Sequence, residues 1–118
     1  MNGQKAPTEL RVSKDRRVLT LVWDEAERVE LPAEFLRVVS PSAEVQGHSP
    51  DQRVTVAGKR DVTIADLVPV GHYAIRIVFS DRHDSGLYTW TYLETLGREK
   101  NERWSRHLAE LESKRLSR

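Results

Sequence analysis

The chain contains no cysteine among its 118 residues. Disulfide bonds, cysteine-held zinc, iron–sulfur ligation and a thiol nucleophile are therefore excluded within this chain. It also lacks any apolar run near the ~18 residues that a transmembrane helix requires. Residues 1–7 are polar and show no apolar signal-peptide region. We therefore expect a cytoplasmic protein that does not interact with membranes.

A strong net charge and a phosphate-binding loop are also missing. The formal charge is +1, which gives no global field toward nucleic acid. Gly58 and Lys59 have no second glycine at the spacing of a P-loop. The serines are not set in the strand–turn–helix sequence of a hydrolase nucleophile. With 38% hydrophobic and 31% charged residues, the chain suits one small domain with a charged surface.

Alternation of apolar and polar residues predicts strands in the first third of the chain. Residues 9–12, 17–23 and 27–31 alternate with period two and are separated by polar turns, which is typical of a three-stranded antiparallel meander. Pro32 then allows one or two helical turns to Val38, because proline is tolerated where a helix begins.

The middle of the chain is predicted to be a loop followed by strands. Residues 40–52 carry the proline and glycine of a loop. Residues 54–56 are a short strand candidate and residues 62–70 a longer one. Residues 72–79 form the clearest strand, with Tyr73 and the apolar residues at every second position on its inner face.

The segment after residue 85 admits two interpretations. Ser85 is a plausible N-cap, Leu87, Trp90 and Leu93 recur at helical spacing, and Gly97 suits a helix end. Strand is the competing interpretation, because the tyrosines, threonines and tryptophan of residues 88–92 have high β-propensity. We prefer the helix.

A second amphipathic helix is predicted from about residue 101, with Trp104, Leu108 and Leu111 as its apolar stripe. The predicted fold is therefore α+β. It has an antiparallel β-sheet of about five or six strands, a packed helix after the His83 turn and a C-terminal amphipathic helix. We expect residues 1–8 to be a flexible tail, 9–97 the domain, and 98–118 the C-terminal helix and tail.

His83 is the candidate for chemistry, because it lies between Asp81, Arg82 and Asp84. It could be an acid–base histidine or part of a metal site, but a turn whose polar groups bond local backbone is the simpler interpretation. His72 and His107 are expected to be solvated.

The basic residues near the C-terminus alternate with glutamates. This pattern favours a solvated helix face over a nucleic-acid patch. The aromatic side chains between Tyr73 and Tyr92 are predicted to be core, since their spacing explains them without a ligand.

Three segments resemble a known family, the gamma-butyrobetaine-hydroxylase-like N-terminal domains. They are residues 36–48 (LRVVSPSAEVQGH), 58–62 (GKRDV) and 79–93 (FSDRHDSGLYTWTYL). The resemblance spans roughly residues 9–97, and residues 83–93 are its most specific part. In that family the domain precedes the catalytic barrel of dioxygenases, is fused to or encoded near P-loop ATPases that carry iron–sulfur clusters, or forms small bacterial proteins like this one.

The resemblance also implies a zinc site that this chain has lost. Family dioxygenases hold a structural zinc through a Cys-Pro-Cys-x-x-Cys segment and one histidine. By position these ligands correspond to Ser40, Ser42, Val45 and His83. Hydroxyls are poor zinc ligands and valine cannot ligate at all. We therefore expect a degenerate site without metal or other cofactor, and expect the segments around Ser42 and His83 to be neighbours in space.

The sequence leads to three functional hypotheses. The first is a non-catalytic module that docks to a partner protein, such as an enzyme or an iron–sulfur carrier. Its expected binding residues are Ser40, Ser42, Glu44, His48, Asp81, His83 and Asp84. The second is a metal-binding or redox-linked protein in which His83 and His48 act with Asp81 or Asp84. The third is a binder of small ligands or nucleic acid that uses Arg76, Lys59, Arg60 and the basic helix.

Overall fold

A computed structural model describes residues 5–24, 26–47 and 53–118. These residues form an α+β fold, which confirms the predicted class. Along the chain the elements are β1 (Glu9–Val12), β2 (Val18–Asp24), β3 (Glu27–Pro32), α1 (Ala33–Val38), α2 (Ala43–Gln46), β4 (Ile64–Val70), β5 (Ala74–Phe79), β6 (Leu87–Thr89) and α3 (Trp90–Ser113). The described strands belong to two three-stranded antiparallel sheets rather than to one.

The first sheet is the predicted meander, with strand order β1-β2-β3. Leu19 and Leu21 of β2 and Leu31 of β3 are fully buried, as the period-two pattern predicts. α1 begins at Ala33, immediately after Pro32. The proline supplies an extended residue at the point where β3 becomes a helix.

The second sheet has the order β4-β5-β6. Ile75, Ile77 and Phe79 of β5 face the core, as predicted, but Tyr73 precedes the strand and is 54% exposed. The prediction that Tyr73 belongs to the core is therefore wrong. Residues 54–56 are not a strand. Val56 instead joins a small second apolar cluster.

The predicted helix that follows Ser85 and ends at Gly97 is wrong at both ends. Residues 87–89 form β6, because β5 offers an open edge with which these β-favouring residues can pair. The helix begins at Trp90, where the Thr89 hydroxyl accepts a hydrogen bond from the Tyr92 amide.

α3 then continues through Gly97 to Ser113 as one helix of 24 residues, crossing the boundary predicted at residues 97–98. Gly97 has a packing role. A Cβ at this position would lie 2.9 Å from the methyl carbons of Val29 on β3. The glycine therefore allows α3 to approach the first sheet closely.

α3 places Leu93 and Leu96 in the main core between the two sheets. Further along the helix, His107 is only 8% exposed, and its ring lies 5.4 Å from that of Trp104. The prediction that His107 is solvated is wrong, whereas His72 is exposed as predicted. In the described part of the chain, no helix is both long and apolar enough to cross a bilayer.

Candidate functional site

The two segments singled out by the sequence meet in the structure. We call Ser40, Ser42, Glu44, His83 and Ser85 the serine–histidine cluster. The first three residues lie at the junction of α1 and α2, and the last two lie in the turn between β5 and β6. The cluster joins residues that are 43 positions apart. This confirms the prediction that the segments are neighbours.

Two tyrosines hold the α1 end of the cluster in place. The buried Tyr88 hydroxyl donates a hydrogen bond to the Leu36 carbonyl at 2.5 Å. The Tyr92 hydroxyl donates to the Val39 carbonyl at 2.5 Å. Because Tyr88 lies on β6 and Tyr92 on α3, the end of α1 is fastened to the second sheet and to the long helix.

The cluster is a continuous chain of hydrogen bonds. The Ser42 amide donates to Ser40 Oγ at 3.2 Å, and Ser40 Oγ lies 2.8 Å from His83 Nε2. His83 Nδ1 lies 3.2 Å from a carboxylate oxygen of Glu44. The assignment that satisfies all of these contacts places the imidazole proton on Nδ1, facing Glu44, and the serine proton toward Nε2. A second link joins Ser42 Oγ to Ser85 Oγ at 2.7 Å.

Burial keeps the His83 imidazole neutral. His83 is 6% exposed, and this loss of solvation lowers its pKa. The Arg37 guanidinium lowers the pKa further, while Glu44 and Asp81 act in the opposite direction with smaller effects. A neutral ring can accept the serine proton at Nε2, which agrees with the hydrogen-bond chain.

Asp81 forms a charged group beside the cluster. Its carboxylate lies 2.8 Å from Arg37 Nε and 2.6 Å from Lys59 Nζ, and it accepts the His83 amide at 3.2 Å. Burial alone would raise the pKa of Asp81, but the hydrogen bonds from Lys59 and Arg37 outweigh it and lower the pKa to about 2.

Arg37 is the residue in this group to which the sequence assigned no role. It lies 44 positions from Asp81. No local pattern in the sequence links an arginine at the end of one helix to an aspartate in a distant turn.

The remaining candidate residues that the structure describes do not take part in the hydrogen-bond chain of the cluster. Asp84 pairs with Arg76 at 3.2 Å on the surface. Val45 is buried with Val38 and Val56 in the second apolar cluster. His48 lies outside the described residues.

The zinc of the family does not fit these residues. His83 Nε2 faces a hydroxyl, and its Nδ1 is engaged by Glu44. The third cysteine position is an aliphatic side chain in an apolar cluster. Across residues 5–24, 26–47 and 53–118, no three histidine, aspartate or glutamate side chains are grouped to hold a metal ion. The Ser40 hydroxyl hydrogen-bonds the histidine and the Ser42 hydroxyl bonds that of Ser85, so neither is arranged as a metal ligand.

Ser40, His83 and Glu44 have the connectivity of a serine–histidine–acid triad. The surroundings argue against catalysis, because Ser40 is fully buried. The backbone at Gly86 is so close that an added Cβ would lie 2.6 Å from Ser40 Oγ. A substrate carbonyl would have no room to approach this oxygen. The geometry therefore indicates a structural role for the three residues.

Several of the basic residues proposed for nucleic-acid binding are engaged in ion pairs. Lys59 pairs with Asp81, and Arg76 with Asp84. On α3, three arginines pair with the glutamates one turn earlier: Arg98 with Glu94, Arg103 with Glu99 and Arg106 with Glu102. This pairing leaves the surface with mixed charge, which does not favour a polyanion.

The fold and cluster define a small α+β domain in which a serine–histidine hydrogen-bond network joins the α1–α2 junction to the β5–β6 turn. The profile of the gamma-butyrobetaine hydroxylase-like, N-terminal family matches residues 10–94. The chain belongs to this family, as the resemblance implied. No curated protein matches it significantly.

Solved structures support the assignment. Two proteins with NMR solution structures are 46% and 39% identical to this chain, with TM-scores of 0.83 and 0.81. The matches cover 98% and 97% of this chain, and 90% and 85% of those chains. A crystal structure from Acidithiobacillus ferrooxidans, of a protein of unknown function in the DUF971 family, is 36% identical with a TM-score of 0.65. It covers 81% of this chain and 94% of that one.

The buried histidines predict a pH dependence of stability. The pKa values of His83 and His107 are lowered in the folded state, mainly by burial. The unfolded chain therefore binds more protons below pH ~6.5. We expect the free energy of unfolding to be highest above this pH and to fall as the pH decreases toward 5. Each histidine contributes a slope of at most about 1.4 kcal/mol per pH unit.

Denaturant unfolding between pH 7.5 and 5 measures this dependence. His83→Gln should reduce the slope, and the exposed His72 provides the matched control, His72→Gln. Equal slopes for the wild type and His83→Gln would contradict the assignment of a neutral buried imidazole.

Proposed function

We propose that this protein is a non-catalytic interaction module that docks to a partner protein. Its docking surface consists of residues 40–46 and 81–85. The observation that supports this proposal is the cross-linking of two distant segments by the serine–histidine cluster. A rigid, preformed surface lowers the entropy cost of binding.

The docking surface presents acidic groups. The Glu44 side chain is 69% exposed and that of Asp84 is 56% exposed. Their partners, the neutral His83 imidazole and the Arg76 guanidinium, leave part of each carboxylate free to bond elsewhere. A partner with a basic patch would complement these carboxylates. Such charge pairs chiefly raise the rate of association and fix the register of the two proteins.

The family context supports the class of partner. Relatives of this domain adjoin dioxygenases or ATPases that carry iron–sulfur clusters, so an enzyme or an iron–sulfur carrier is the partner that we propose. The encounter would take place in the cytoplasm. The small α+β domain contributes the surface, and the chemistry belongs to the partner.

Site-specific photo-crosslinking in the native host tests the proposal. A photoreactive residue at position 44 should capture one protein reproducibly, whereas one at the exposed position 102 on α3 should not. The double variant Glu44→Gln, Asp84→Asn should weaken binding of the captured protein about tenfold, because two rim charges are lost. The matched control, Glu102→Gln, should bind as the wild type does.

Two results would contradict the docking surface. One is an identical set of crosslinked proteins from positions 44 and 102. The other is unchanged affinity of the double variant for the captured partner. Near-ultraviolet circular dichroism of each variant confirms that the fold is intact before binding is compared.

A serine hydrolase activity is the competing interpretation of the Ser40–His83–Glu44 connectivity. A fluorophosphonate probe separates the two. Since Ser40 is buried, we expect the wild type to be labelled no more than Ser40→Ala. Labelling that disappears in Ser40→Ala would favour an enzyme and overturn the non-catalytic proposal.

The metal-binding alternative rests on one contact, the approach of Glu44 to His83 Nδ1. These are two possible ligands from the described residues, with His48 as the further ligand that the sequence suggested. Metal analysis of protein purified without chelators tests it. A stoichiometric metal that is lost in His83→Ala would favour this alternative over the docking module.

A further inference from the structure

A polar pocket lies on the side of the molecule where α3 passes the ends of α1 and α2. Its volume is about 260 Å³. Val38, at the end of α1, and Val39, its C-cap, form the apolar part of the pocket wall. The rest of the wall consists of polar side chains: Gln46, Arg53, Arg103, Arg106, His107 and Glu110. None of these residues belongs to the serine–histidine cluster.

A buried nitrogen in this wall is unpaired. His107 is 8% exposed, yet its Nε2 finds no hydrogen-bond partner among the described residues. The His107 ring is tilted beside Trp104, with the two ring centres 5.4 Å apart. Because Nε2 is itself shielded from solvent, it lies behind the wall of the pocket, and the arginines supply the donors that a ligand would meet.

The charges around His107 favour an anion. Three of the lining residues are arginines and only one, Glu110, is acidic. Arg53 pairs with Glu110. Burial lowers the pKa of His107, so the imidazole adds no charge of its own, and a bound anion would face a net positive wall.

Arg103 and Arg106 keep hydrogen-bond donors available for a ligand. Arg103 bonds Glu99 through Nε at 2.9 Å, and its guanidinium carbon lies 5.8 Å from the centre of the Tyr92 ring. Arg106 bonds Glu102 through one terminal nitrogen. Because a guanidinium has five N–H donors, each arginine retains several for a ligand. The two glutamates do not line the pocket, so they orient the arginines from outside.

We propose that this pocket binds a small phosphoryl-type oxyanion. Guanidinium groups match the spacing of phosphate oxygens and bind them in pairs. The pocket lies below the usual ~300–1,000 Å³ range of drug-sized ligands. It suits inorganic phosphate or the phosphoryl end of a small metabolite.

Proton–nitrogen NMR of the histidine side chains provides a direct test. Inorganic phosphate is titrated into the full chain at millimolar concentrations, with chloride keeping the ionic strength constant. We expect a saturable shift of the His107 imidazole signals and none at His72, which is exposed. A phosphomonoester such as glycerol 3-phosphate is titrated in parallel, and tighter binding than phosphate identifies a phosphorylated metabolite as the source.

Variants connect the shift to the pocket. Arg103→Gln with Arg106→Gln should weaken phosphate binding at least about tenfold, because both substitutions remove charged hydrogen-bond donors from the pocket. Arg98→Gln is the matched control, because Arg98 lies on the same helix with the same type of ion pair but outside this pocket. Arg53→Gln provides a second test that leaves α3 unchanged.

The proposal is overturned by absence of a saturable His107 shift, or by equal loss of binding in Arg98→Gln and the double variant. If malonate, a dicarboxylate, binds as tightly as phosphate, the pocket does not select phosphoryl groups and the proposed ligand class is wrong. Backbone amide spectra show whether each variant is folded, and Arg53→Gln decides the outcome if the double variant is not.

Discussion

The triple variant Ser40→Cys, Ser42→Cys, Val45→Cys is expected to retain one zinc ion per chain after purification. These substitutions restore the cysteine positions that the family resemblance assigns, and His83 is already in place. When free zinc exceeds the dissociation constant roughly a hundredfold, unfolding should cost about 3 kcal/mol more than in the metal-free variant. Metal analysis and denaturant unfolding with and without chelator measure both effects.

The geometry of the cluster supports this expectation. Ser40 Oγ lies 2.8 Å from His83 Nε2, so a thiolate at position 40 begins beside the coordinating nitrogen. The Glu44 carboxylate already accepts a hydrogen bond from Nδ1 of His83. In zinc sites a carboxylate commonly accepts a hydrogen bond from the other ring nitrogen of a ligating histidine and so orients the ring. The ring therefore has the orientation that a zinc site needs.

Two controls give the result its meaning. Adding His83→Ala to the triple variant should abolish stoichiometric zinc, and Ser40→Cys alone should not bind zinc stoichiometrically, because two ligands do not close a structural site. If the triple variant binds no more zinc than the wild type, the correspondence between these positions and the family's ligands is incorrect.

Asp81→Asn is expected to lower the free energy of unfolding at pH 7 by about 2–4 kcal/mol. The substitution removes the carboxylate that neutralises both Arg37 and Lys59. The Arg37 side chain is only 12% exposed, and its Nη1 already lacks a partner among the described residues. Removing its counter-ion would leave a largely buried charge unpaired.

The pH dependence of the Asp81→Asn effect is also defined. Because the folded pKa of Asp81 is lowered to about 2 from 3.8, its stabilisation is complete above the unfolded value. It is lost as the pH falls through the folded value. The difference between the wild type and Asp81→Asn should therefore shrink below pH ~4.

Asp61→Asn is the control for this prediction. Asp61 is 88% exposed and pairs with Arg17 at 3.8 Å, so its loss should change stability by no more than about 0.5 kcal/mol. Equal effects of the two substitutions would show that the Asp81 ion pairs contribute no more than a surface contact.

The core-facing strand residues could be predicted from the sequence because their signal is local. Leu19, Leu21, Ile75 and Ile77 occupy alternating positions and are all buried. Side chains of a strand alternate between its two faces, so the pattern alone identifies the inner one. The predicted apolar stripe on the C-terminal helix is only partly confirmed, since Leu111 is buried while Leu108 is 39% exposed.

The boundary between β6 and α3 could not be predicted from local pattern. Leu87, Trp90 and Leu93 fit helical spacing, while the residues between them favour strand. The open edge of β5 decided in favour of three strand residues, followed by a helix capped by Thr89. Pairing with the preceding strand overrides a local helical preference of a few tenths of a kcal/mol.

The candidate site was predicted in part. Its location followed from the resemblance, which brought Ser40 and Ser42 together with His83. The role of Arg37 and the unpaired nitrogen of His107 did not follow, because each depends on what surrounds a side chain after folding.

The sequence by itself determined the α+β class, the family and the absence of cysteine at the positions that the resemblance assigns to zinc. These depend on residue type and local spacing, which the chain carries before it folds. Only the tertiary structure decided that hydroxyls and an imidazole join two distant segments by hydrogen bonds, and that Arg53 meets the arginines of α3 beside His107. These contacts join residues dozens of positions apart, and only the packing of strands and helices sets their distances.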